Sequence, residues 1–84
     1  MTYWIDYGWY MEACDTLVKA RATAVKMIEG GIYNMGKVAI YPSKTSKKAI
    51  GQVGVLNGHY VWTEYNKKYG TVQHAMFKNG RLAR

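Results

Sequence analysis

The sequence predicts an α+β domain: a single antiparallel sheet of four to five strands, an N-terminal strand followed by a C-terminal meander, with one helix packed on one face. Three observations carry this expectation. Asn57-Gly58 separates two runs rich in β-branched and aromatic residues, and Asn-Gly in that setting specifies a two-residue type I′ hairpin turn, whose central positions both need positive φ. Residues 15–31 carry a helical apolar period bounded by caps. A length of 84 residues suits one small domain spanning 1–84.

The first element is Thr2–Tyr10 (TYWIDYGWY), where aromatics alternate with small or polar groups as in a strand. Tyr3, Ile5, Tyr7 and Trp9 fall on one side, and Trp4, Asp6, Gly8 and Tyr10 on the other. Gly8 marks a bulge or a close backbone approach. Cys14 is the only cysteine, so no internal disulfide can form. A thiol just before a helix can be reactive, but Asp15 opposes thiolate formation and no neighbouring residue in the sequence supplies a base. The thiol therefore reads as a small buried hydrophobe.

The helix is expected over Asp15–Gly31, with Asp15 or Thr16 as cap and Gly30-Gly31 as terminator. Leu17, Ala20, Ala24, Met27 and Ile28 form its apolar face, while Lys19, Thr23 and Lys26 fall on a wet one. Ile32–Gly36 reads as a loop. Val38–Tyr41 is a short strand stopped by Pro42, the only proline.

The hairpin pairs Val55 with Tyr60 and Val53 with Trp62 on one face. That face carries Ala49, Gly51, Val53, Val55, Tyr60, Trp62 and Glu64 and is assigned to the helix. The other carries Ile50, Gln52, Gly54, Leu56, His59, Val61, Thr63 and Tyr65 and is expected to be partly open. Asn66–Gly70 forms a basic turn, Thr71–Phe77 the next strand, and Lys78–Arg81 a last turn after which Leu82 begins a short pairing. The expected core is Ile5, Leu17, Ala20, Ala24, Met27, Ile28, Val38, Ile40, Val53, Val55, Tyr60, Trp62, Val72 and Met76.

Charge points to a partner class. The net charge is +7, and residues 31–84 hold nine basic groups against the single acid Glu64. Such asymmetry favours an anionic partner, either nucleic acid or an acidic protein surface. No apolar run approaches the ~18 residues needed to span a bilayer, and no leader pattern is visible, so a cytoplasmic, non-membrane protein is expected.

Catalytic machinery is thin. The chain carries no HExxH, CxxC, GxSxG, P-loop or GxGxxG motif. His59 and His74 lie on different predicted strands, and a metal site with Glu64 lacks any signature spacing. The expectation is a non-catalytic binding module without metal or cofactor. The most pointed stretch is Ser43–Lys48, where hydroxyls and ammonium groups can meet phosphate oxygens. The candidate anion contacts are Lys44, Thr45, Ser46, Lys47, Lys48, Lys67, Lys68 and Arg81. The candidate exposed aromatics are Trp4, Tyr10, Tyr65 and Tyr69, which could stack bases. The rival is a protein-interaction module, an adaptor or inhibitor, using an acidic partner patch or pairing a strand edge with a second copy as a homodimer. Convergence of the basic groups beside exposed aromatics favours the first reading; scatter around the rim favours the second.

Overall fold

The Asn57-Gly58 turn folds as its residues dictate, with φ of 52° and 80°. A computed structural model of the chain describes residues 1–6, 8, 11–31 and 36–83. The turn joins β4 (Gly51–Leu56) to β5 (His59–Asn66) in the expected register, Val53 opposite Trp62 and Val55 opposite Tyr60. Further on, β5 pairs with β6 (Gly70–Ala75), and Met76 bridges to Leu82 after the 77–81 turn.

The N-terminal segment departs from expectation. It is not one long strand but an antiparallel pair, β1 (Tyr3–Asp6) and β2 (Met11–Cys14), with Trp4 opposite Ala13 and Ile5 opposite Glu12. The sheet consequently has six strands, not four to five, in the order β2-β1-β3-β4-β5-β6. Just past β1, Asp6 Oδ1 accepts a 2.7 Å hydrogen bond from the Gly8 N–H, a local side-chain bond of the kind that competes with extension. Tyr7, Trp9 and Tyr10, expected to continue the strand, lie outside the described residues, as does most of the expected 32–36 loop.

Helix α1 (Leu17–Gly30) lies within the expected span, with Thr16 and not Asp15 as its cap. The Thr16 Oγ1 accepts from the Lys19 N–H at 3.1 Å, and the Gly31 N–H closes the far end on the Ile28 carbonyl. Asp15 instead pairs with Lys19 at 3.1 Å. The helix carries the chain from β2 over β1 to β3 (Lys37–Tyr41), which pairs antiparallel with both β1 and β4. It packs across β1 to β4.

Ile5, Val38, Ile40, Val53 and Trp62 are fully buried beneath Ala20, Ala24 and Val25 of the helix. Trp62 needs Gly51 opposite its neighbour in the ladder: a Cβ there would stand 2.6 Å from the indole ring and 2.5 Å from the Thr63 carbonyl oxygen. Two expected core residues are corrected. Val55 is 47% exposed, because β3 pairs with β4 only as far as Gly54 and the hairpin tip projects beyond it. Val72 is only half-buried, because it stands on edge strand β6, outside the span the helix covers. Leu17, Ile28 and Tyr60 pack on the core from its margin, and burial pushes the Tyr60 hydroxyl's pKa up. Among the described residues, no helix is long and apolar enough to cross a membrane.

Candidate nucleic-acid interface

Strand register decides which basic loops meet. Ile40 stands opposite Gly51, Gly51 opposite Glu64, and Glu64 opposite Val72. The end of β3, the start of β4, the end of β5 and the start of β6 therefore share one end of the sheet. The connections that emerge there are the 42–50 loop and the 67–69 turn, which carry Lys44, Lys47, Lys48, Lys67 and Lys68, all exposed.

Between the two lies an open groove of about 560 Å³. Pro42, Ala49, Ile50 and Tyr65 give it apolar walls, Lys48 and Lys67 flank it, and among the described residues no acidic one lines it. The Tyr65 hydroxyl donates to Gln52 Oε1 at 3.2 Å across β4 and β5, which holds the ring against the helix-free face. Asn66 Oδ1 accepts from the Lys68 and Tyr69 N–H groups at 2.7 and 3.2 Å and sets the turn. The Lys68 ammonium rests 5.3 Å from the Tyr69 ring centroid. Ser46 is committed to its own loop: its Oγ donates to the Lys48 carbonyl at 2.9 Å and accepts from the Lys48 N–H. Thr45 is exposed on the same loop.

Next to this groove, the β1–β3 ladder places half-buried Trp4 beside Tyr41, and Lys44 Nζ stands 5.8 Å from the Trp4 ring. Such cation–aromatic contacts keep the ammonium accessible to an anion while ordering its stem. Among the described residues the ion pairs are Lys19–Asp15 and Lys78–Glu29, so none of the five lysines at this end is neutralised by a carboxylate.

Not every predicted site residue joins. Arg81 lines a different cavity, beside Val18, Arg21 and Leu82 on the helix side. Tyr10 lies outside the described residues. His59 pairs with Leu56 on the open face, whereas His74 stands opposite Trp62 on the covered one, so the sheet separates them. Among the described residues no three His, Cys, Asp or Glu side chains gather as metal ligands would. Cys14 Sγ is 3.9 Å from Thr23 Oγ1, a half-buried contact at the helix.

Sequence reasoning missed Tyr41, Pro42 and Ile50 as parts of this surface. Tyr41 is signalled only by its position before the strand-ending proline, and its pairing with Trp4 is invisible without the β1–β3 contact. No protein-family model matches this chain, and no significant match to a curated protein or to a solved structure was found.

Proposed function

We propose that this chain is a non-catalytic module that binds single-stranded nucleic acid at the lysine-bearing end of its sheet. The observation that carries the reading is the groove between the 42–50 loop and the 67–69 turn, apolar inside and flanked by Lys48 and Lys67. A base unstacked from its neighbours can lie against Tyr65, while ammonium groups neutralise the phosphates on either side. Trp4 and Tyr41, with Lys44 above Trp4, extend the same combination along the sheet end. A duplex keeps its bases stacked inside and can use only the lysines. The lone thiol Cys14 fits a reducing setting such as the cytoplasm.

A fluorescence titration with a random single-stranded and a duplex oligonucleotide at two salt concentrations tests this reading. Contacts from Lys44, Lys48 and Lys67, at ~0.7 counterions each, predict roughly twentyfold weaker single-strand binding at ~200 mM than at ~50 mM salt. Single-strand affinity that ignores salt over that range, or a preference for the duplex, overturns it.

A protein-binding reading has one observation of its own. Edge strand β6 carries no Lys, Arg, Asp or Glu over Gly70–Ala75, and exposed Phe77 follows it, so the edge lacks the charges that usually blunt strand addition. Concentration-dependent dimerisation in light scattering, abolished by Gln73→Pro, would support that alternative.

A further inference from the structure

We propose that Arg21 and Arg81 form a second anion site, suited to a phosphate group, on the helix side of the molecule and apart from the lysine groove. Arg21 sits at the apolar phase of α1, four residues after Leu17 and three before Ala24, and is only 6% exposed. Its Nε donates to the Gly80 carbonyl at 2.7 Å, and its guanidinium lies 5.3 Å from the Trp62 ring centroid. That arrangement pins the 77–81 turn onto the helix, and Gly80 suits it because a Cβ there would collide with the Val18 carbonyl.

Pinning the turn uses one of the five guanidinium donors. Among the described residues, the remaining Arg21 N–H groups have no hydrogen-bond partner. The ion pairs among those residues are Lys19–Asp15 and Lys78–Glu29, so no carboxylate of a described residue contacts Arg21. Glu64 acts on it only through space, and burial lowers the pKa of its guanidinium.

A buried cation without a contacting anion is costly, and a second one beside it adds repulsion. Arg81 is that second cation. With Arg21, Val18 and Leu82 it lines an open cavity of about 290 Å³ that has no acidic side chain among the described residues. A phosphate placed there relieves both penalties, because its oxygens accept paired N–H bonds from planar guanidinium forks.

The test is an NMR titration that follows the Arg21 Nε–H resonance of the full chain at constant ionic strength. One arm adds inorganic phosphate, the other a short single-stranded oligonucleotide. The expected result is a saturating shift with phosphate, with a dissociation constant on the order of 1–10 mM. Arg81→Ala, an exposed position, should leave the melting temperature unchanged or raise it slightly by removing the repulsion, and should weaken phosphate about tenfold. A saturating shift in the oligonucleotide arm as well identifies the phosphate as one carried by nucleic acid; a shift with inorganic phosphate alone identifies a free phosphate. Shifts that stay linear in both arms, or a phosphate titration that Arg81→Ala leaves unchanged, overturn the site. Loss of oligonucleotide binding at the lysine groove would not affect this outcome.

Discussion

The two faces of this sheet are made from alternate residues of the same strands, yet their chemistry diverges. On one face Ile5, Val38, Ile40, Val53 and Trp62 are sealed under a helix. On the other, Trp4, Tyr41, Gln52, Val61 and Thr63 are half-buried, while Leu56 and Tyr65 are exposed. The covered face is saturated: its side chains already touch protein on every side, so changes there act on folding. The open face retains unsatisfied apolar and aromatic surface beside uncompensated lysines, so changes there act on what the molecule can hold. Period-two alternation lets one backbone serve both ends without compromise.

The sharpest way to break this comparison is Trp62→Ala. A fully buried indole replaced by a methyl group should cost about 3–5 kcal/mol in denaturant unfolding. A loss below about 1 kcal/mol would mean that the covered face is assigned wrongly. Gly51→Ala tests the same face by overfilling it, since the new methyl meets the Trp62 ring and the Thr63 carbonyl; the expected loss is about 1–3 kcal/mol, read as a lower urea midpoint. Tyr65→Leu tests the other face. Its unfolding free energy should stay within about 0.5 kcal/mol of the parent, while single-strand affinity falls by about 1–3 kcal/mol in a fluorescence titration. The reverse pattern, a large stability loss with binding intact, would erase the distinction between the faces.

The smallest effect belongs to neither face. The Lys19 ammonium donates to Asp15 and holds its carboxyl below the usual pKa. A folded pKa below the unfolded one contributes stability above the unfolded value, and that contribution fades as pH falls through the folded value. Asp15→Asn should therefore lower the melting temperature slightly at neutral pH and leave it unchanged at pH about 2, in a melting series across pH.

Where sequence and structure agree, the information was local. Asn57-Gly58, Thr16 and the Leu17–Ile28 period each contain their own instruction, and each folds accordingly. Arg21 was also legible in principle, since its helical phase places it among Leu17, Ala24 and Ile28, although a charged residue is easily set aside in a search for apolar faces. The N-terminal ribbon was misread for the opposite reason. Met-Glu-Ala-Cys has little intrinsic preference for a strand, and only pairing with Tyr3–Asp6 makes it one. The site divides the same way. The lysine content of its two loops could be counted, but their meeting around a groove depends on β3, β4, β5 and β6 ending in register.

Residue order alone was enough to specify the turn, the helix and the inward face of the central hairpin, because each depends on neighbours within a few positions. The sixth strand, the exposure of Val55, the lysine groove and the burial of Arg21 against the Gly80 turn needed the folded chain. They arise from contacts between segments tens of residues apart, and such pairings are selected by the packing of the whole sheet rather than by any stretch within it.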